Sequence, residues 1–146
     1  MLKNLKKAFL ISLYASVLGG IQIYWFLPEG LSCLDLKSSA VDAIFNFVPI
    51  QFIIITIIFM LTKKRMRFYS IIIIIIIIIC FFWFFVNKYE FTHRHACWST
   101  FSESSILLST FIKSLKPIIT CLVIFIVGYL LLGKLKKRTQ TGEKTI

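Results

Sequence analysis

Two cysteines and two histidines are the residues of this chain whose chemistry and spacing could form a reactive site. Cys33 and Cys97 lie in separate polar stretches, and the string His93-Arg94-His95-Ala96-Cys97 brings three ligand-type side chains close together. In an extended backbone, His93, His95 and Cys97 project to one face, because alternate residues do. Together with Cys33 they offer the two-His, two-Cys donor set that zinc or copper accepts. A metal site is therefore one hypothesis, although no Cys-x-x-Cys pair supports it.

A disulfide between Cys33 and Cys97 is the simpler interpretation. Such a bond forms on the oxidising side of a membrane. It would close a loop of more than sixty residues, which the chain-entropy model values at about 4 kcal/mol. Membrane thiol oxidases instead use a closely spaced Cys-x-x-Cys pair, and the nearest cysteines here, Cys80 and Cys97, are 17 positions apart. We expect a structural disulfide, with two free thiols as the alternative.

The elements that position these residues are identified by the apolar composition as membrane-spanning helices. The 146-residue chain is 58% apolar and contains 15 Phe, and its mean hydropathy is +0.88. A globule of this size cannot hide so much apolar surface from water, whereas about 20 apolar residues in helical form cross a bilayer. Four segments approach or meet that length: 8–27, 44–62, 68–86 and 117–133.

The third segment includes nine consecutive isoleucines, Ile71 to Ile79. In a soluble protein such a run would suggest a buried strand, because β-branched residues favour pleated surfaces. The whole segment 68–86 is too long for a strand, and in lipid every backbone N–H must be bonded within its own segment. We therefore expect a helix, and we expect the isoleucine run to face lipid.

The distribution of charge favours an orientation with both termini in the cytoplasm. Twelve of the 17 basic residues lie in the amino terminus, the loop 63–67 and the tail 134–146, and the other five lie in the loops 28–43 and 87–116. Cytoplasmic segments carry the excess of Lys and Arg, so we expect a multi-pass protein of the cell (inner) membrane. Each basic cluster adjoins an apolar segment. Attraction to anionic lipid head groups explains these clusters, so we expect no nucleic-acid partner.

The loop 87–116 contains a segment with helical periodicity. One face of it carries apolar residues at i, i+3 and i+4 spacing: Leu107, Leu108, Phe111, Ile112 and Leu115. We expect a short amphipathic helix on the outer surface, with Pro117 opening the fourth span. A single long helix that continues through Pro117 is the alternative. The predicted fold is thus all-α, with four transmembrane helices.

Small residues on the first helix predict close helix packing. Their spacing is of the small-xxx-small type that lets backbones approach, and the residues are Ser12, Ser16, Gly19 and Gly20. Packing against another helix of the same chain is the expectation, and a homodimer through this stripe is the alternative.

Three amides lie in the outer halves of the first two spans: Gln22, Asn46 and Gln51. Amides in a membrane commonly hydrogen-bond across helices, at about 1 kcal/mol each. They are therefore expected to hold the helices together, or else to line an outer surface that binds a ligand or a partner protein.

The spans as delimited contain no Asp, Glu, Lys, Arg or His, so the usual sign of coupled transport is missing. No Ser/His/Asp grouping or nucleotide loop suggests an enzyme, and no cofactor is predicted. We expect a protein that binds another membrane protein through its helices, such as an immunity protein against a pore-forming toxin, which it resembles in size and topology alone. The alternatives are a small transporter or lipid-handling protein, or an accessory subunit of a larger complex.

Alkylation of intact membranes before and after reduction tests the cysteine prediction. If Cys33 and Cys97 are bonded, both resist alkylation until the membranes are reduced. Two thiols that react without reduction would contradict the disulfide, and zinc or copper content would then be the next measurement.

Overall fold

The computed structural model describes residues 2–27, 39–62, 68–94 and 102–142. These residues form four α-helices and contain no strand. The helices are α1 (Leu2–Phe26), α2 (Ala40–Thr62), α3 (Phe68–Arg94) and α4 (Glu103–Gly142).

Each helix is long and apolar enough to cross a bilayer. The qualifying stretches are Leu5–Phe26, Ala40–Thr62, Ser70–Arg94 and Glu103–Leu131, and they contain 22 to 29 residues. A hydrocarbon core needs about 20 residues of helix. The prediction of an all-α, multi-pass membrane protein is therefore confirmed, and so is the helical state of the isoleucine run.

Neighbouring helices run antiparallel. Phe9 near the start of α1 contacts Phe52 in the second half of α2, whereas Gly20 near the end of α1 faces Ile44 near the start of α2. By the same kind of pairing α3 runs antiparallel to α2, and α4 to both α1 and α3. Within the described residues α1 also approaches α3, while α2 and α4 make no contact. The beginning of α1 and the end of α4 thus lie at the same end of the bundle, which we call the terminal end. We call the opposite end the Arg94 end.

Buried and exposed isoleucines follow one another with the helical turn of α3. Ile71, Ile75 and Ile79 are at most 4% exposed, whereas Ile73 and Ile77 are 56% and 50% exposed. The inward isoleucines belong to the main hydrophobic core together with residues of the other three helices. The prediction that the run faces lipid is therefore wrong for its inward members, because a helix inside a bundle necessarily presents one side to its neighbours.

Helix α3 continues to Arg94, eight residues past the predicted end of the third span. Its 27 residues correspond to a length of about 40 Å, compared with about 30 Å for the hydrocarbon core. The last turns of α3 therefore extend towards the head groups. Glu90 and Arg94, which the sequence placed in an outer loop, lie on this helix and are buried.

Helix α4 is one continuous helix of 40 residues with Pro117 inside it. Of the two arrangements that the sequence left open, the structure has the single long helix rather than a separate amphipathic helix. Ser102 caps its start, because Ser105 N–H donates to Ser102 Oγ at 3.3 Å. Pro117 removes only the hydrogen bond to the Lys113 carbonyl, which membrane helices tolerate. The predicted apolar face of this segment is largely exposed, although Phe111 also contacts the Phe84 ring of α3.

Two adjacent glycines provide a test of the α1–α2 packing. A methyl group at Gly19 would collide with the side-chain amide of Gln51, whereas at Gly20 it would meet only Ile44 Cγ2 at 3.6 Å and Val48 Cγ2 at 3.8 Å, which is ordinary contact. We expect Gly20→Ala to leave stability unchanged or raise it by up to about 1 kcal/mol, since Ala favours helix over Gly. Gly19→Ala should lower stability, as measured by unfolding of the purified protein in mixed detergent micelles. Equal stabilities of the two variants would contradict this packing.

Candidate functional site

Gln51 joins three helices through its side-chain amide. Its Nε2 donates to the Ala15 carbonyl of α1 at 2.8 Å, and its Oε1 accepts a hydrogen bond from Trp83 Nε1 of α3 at 2.9 Å. Gln51 and Trp83 are both fully buried. The absence of a side chain at Gly19 gives the amide its room. Gln51 therefore holds the bundle together from a buried position.

Two further polar contacts connect α1 to its neighbours nearer the terminal end. The Thr56 hydroxyl lies 2.9 Å from Ser12 Oγ, so Ser12 contributes to the packing between α1 and α2. On the other side of α1, the Tyr14 hydroxyl donates to the Ile124 carbonyl of α4 at 2.8 Å. The small residues Ser12 and Gly19 are thus both used inside the chain.

A buried polar stripe runs along α3 towards the Arg94 end. It consists of Trp83, Asn87, Glu90 and Arg94, all buried and spaced at i, i+4, i+7 and i+11, which places them on one face. Asn87 Nδ2 donates to Ser114 Oγ of α4 at 3.0 Å. The sequence reasoning missed this stripe because it ended the third span at residue 86. The regular spacing of these four residues was the signal that could have revealed it.

Arg94 connects α3 to the start of α2. Its Nε donates to Glu90 Oε2 at 2.6 Å, and its Nη2 donates to the Ser39 carbonyl at 2.8 Å. Ser39 and Asp42 form a reciprocal cap at the same place, since Ser39 N–H donates to Asp42 Oδ2 at 2.6 Å and Asp42 N–H donates to Ser39 Oγ at 3.3 Å. This cap explains why α2 begins at Ala40, four residues before the predicted span.

Gln22 is fully buried, and neither atom of its amide has a hydrogen-bond partner among the described residues. The same holds for Ser16 Oγ, Asn87 Oδ1 and Thr110 Oγ1. Ordered water is the usual partner of such groups in protein interiors. Gln22 thus lies inside the bundle, out of reach of a second protein.

Asn46 is the one predicted partner-binding residue that the structure places on the surface. It forms no hydrogen bond with the described part of the chain and lies on an outward apolar face of α2. That face, the α2 stripe, consists of Asn46, Pro49, Ile50, Ile53 and Ile57, all exposed. Pro49 has no N–H to donate, so the Phe45 carbonyl lacks its helical partner. An amide and a carbonyl acceptor therefore lie next to each other on a surface that is otherwise apolar.

The cysteine and metal predictions fall mostly outside the described residues. Cys33, His95 and Cys97 lie there, so the disulfide and the metal site stay predictions. His93 is described: its Nδ1 is 2.7 Å from the Tyr89 carbonyl, and its ring lies 4.0 Å from the Tyr89 ring. Among the described residues no group of three His, Cys, Asp or Glu side chains could hold a metal ion.

A groove of about 1050 Å³ lies along the seam between α1 and α2 at the Arg94 end. Its lining extends from Leu13 of α1 to Leu27, one residue past that helix, and from Ser39, one residue before α2, to Val48, and most of it is apolar. Ser16 and Gly20 contribute to this lining, so two of the four small residues border the groove.

Comparisons with protein-family models, with curated proteins and with solved structures found no match.

A double-mutant cycle tests whether Gln51 and Trp83 act as a pair. Trp83→Phe removes the indole donor and Gln51→Leu removes the acceptor, and each should lower the free energy of unfolding. Because hydrogen bonds between membrane helices contribute about 0.6 to 1.7 kcal/mol, the two effects should be non-additive by about that amount. Strictly additive effects in detergent unfolding would show that the two side chains do not interact.

Proposed function

We propose that this multi-pass membrane protein acts by binding another membrane-inserted protein, and that the α2 stripe is the binding surface. The supporting observation is the exposed amide of Asn46 on a helix face that, from Asn46 towards the terminal end, is otherwise made of Pro and Ile. The form of this function that we favour is an immunity protein, which protects its host by binding a pore-forming toxin within the bilayer.

The depth of Asn46 in the membrane favours a hydrogen bond between its amide and a partner helix. Counting about 20 residues of helix from Thr62 towards the start of α2 puts Asn46 several residues inside the hydrocarbon core. An amide without a hydrogen-bond partner in an apolar medium costs several kcal/mol. A partner helix that offers a backbone or side-chain hydrogen bond removes that cost and covers the neighbouring isoleucines.

Helix α2 is also the span with the most surface left uncovered. Only 17% of the residues in its most apolar part are buried inside the chain, compared with 28% to 50% in the other three helices. Gln22 and Gln51, the other two amides predicted to contact a partner, are buried. The sequence predicted partner binding for all three amides. We therefore assign this role to Asn46 alone.

The charge distribution supports an orientation for this binding. The basic clusters at the terminal end favour placing that end in the cytoplasm, with the Arg94 end and Asn46 nearer the outer surface. A protein that enters the bilayer from outside would then meet the Asn46 half of α2 first. This order of contact suits protection against an inserting toxin.

Transport is the competing function. The observation that favours it is the buried polar stripe on α3. The stripe stops at Trp83, however, and towards the terminal end the buried side of α3 carries Ile79, Ile75 and Ile71, all at most 4% exposed. A solute path would have to cross this apolar core. Partner binding requires no such path, so we prefer it.

Protection assays test the immunity proposal. Cells that express the chain are challenged with a panel of pore-forming toxins, and protection against one toxin or a narrow group is expected. Asn46→Leu should lower the tolerated toxin concentration about threefold to twentyfold, the equivalent of one interhelical hydrogen bond. Ile53→Trp should weaken protection as well, because the larger ring obstructs the docked helix.

Ile77→Trp is the matched control, since Ile77 on α3 is exposed to a similar degree as Ile53, at 50% and 56%. It should leave protection unchanged, and the amount of each variant in the membrane is measured in parallel. Protection against no toxin in the panel would argue against an immunity protein. Equal effects of the two Trp variants would rule out the α2 stripe as the binding surface.

A further inference from the structure

The groove between α1 and α2 has the length of one bilayer leaflet. It runs from Leu13 of α1 to Leu27, just past the end of that helix, over fourteen residue steps, which correspond to about 21 Å at the helical rise. One leaflet contributes about 15 Å of hydrocarbon, half of the total core, and the head-group region lies above it. The groove therefore extends from near the middle of the bilayer to the head groups at the Arg94 end.

Its walls match an acyl chain. Leu13, Val17 and Ile21 line it on α1, and Val41, Ile44 and Val48 line it on α2. Gly20 widens the groove at its centre, because no side chain fills the space next to Ile44 and Val48. Tyr24 and Trp25 form its upper rim, and these are the residue types that concentrate at the head-group level of membranes.

A cation lies beside this rim. Lys116 Nζ of α4 is 5.9 Å from the centre of the Trp25 ring, while Lys113, one turn earlier, lies over Phe91 at 5.0 Å. A lysine at head-group level attracts an anionic lipid. Of the two lysines, Lys116 is therefore the one beside the groove.

We propose that this groove is a phospholipid site, in which one acyl chain lies between α1 and α2 and Lys116 binds the phosphate of an anionic head group. The site is separate from the α2 stripe and does not depend on the proposed function.

A transmembrane helix of another protein is the competing occupant, and its dimensions argue against it. A spanning helix of about 20 residues is about 30 Å long, so the groove would cover only part of it. Ser16 borders the groove, but its hydroxyl oxygen is buried, so neither occupant is expected to bind it.

Native mass spectrometry of the detergent-purified protein tests the proposal. On titration with palmitoyl-oleoyl phosphatidylglycerol, the wild type should retain one lipid. Gly20→Leu should weaken retention at least about fivefold by filling the groove, and Val17→Trp should do the same from the exposed side of α1. Lys116→Gln should weaken it about fivefold, the effect of one lysine at an anionic surface.

Lys113→Gln is the matched control for charge and should leave retention unchanged. Ser16→Ala should leave it unchanged or increased, and Asn46→Leu should have no effect, which separates this site from the α2 stripe. The proposal is overturned if the wild type retains no lipid, if retention survives both Gly20→Leu and Val17→Trp, or if the two lysine variants behave alike.

Discussion

A polar side chain inside a lipid-embedded bundle has to find its hydrogen bonds within the protein, and Gln51 is where this constraint is met most fully. Its amide binds the backbone of α1 and the indole of α3 at once, with bonds of 2.8 and 2.9 Å. Between apolar helices in lipid there is little hydrophobic driving force, so close packing and such hydrogen bonds set the association. The spacing of α1, α2 and α3 therefore depends on one amide and on the glycine that makes room for it.

Helix α2 carries a second amide, which is exposed rather than buried. Asn46 and Gln51 are five residues apart, which separates them by about 140° around the helix axis. Gln51 consequently faces the interior, where its bonds maintain the fold, while Asn46 faces outward. Rotation about the axis of α2 alone thus separates the structural amide from the amide that we propose for partner binding. On its third side, towards α1, it borders the groove that we assign to a lipid chain.

The number and type of the helices could be predicted from the sequence because crossing a bilayer imposes a length and an apolar composition. The faces of those helices could not be predicted. Ile75 is buried and Ile77 is exposed, yet the two residues are identical, since both the bundle interior and the lipid accept isoleucine. The end of α3 was misplaced because Glu90 and Arg94 satisfy each other within the helix. The three amides could be identified as candidate binding residues from the sequence. Only the packing shows that Asn46 is exposed and that Gln22 and Gln51 are buried.

In the isoleucine run, a change in the number of residues affects the packing of the bundle more than a change of residue type does. Adding one isoleucine would leave the hydropathy of α3 almost unchanged, but it would turn everything beyond the run by about 100° and advance it by about 1.5 Å. Trp83 would then leave Gln51, and Arg94 would leave the start of α2. Such an insertion would preserve a membrane span and disrupt the bundle, so the packing depends on the number of isoleucines more than on their identity.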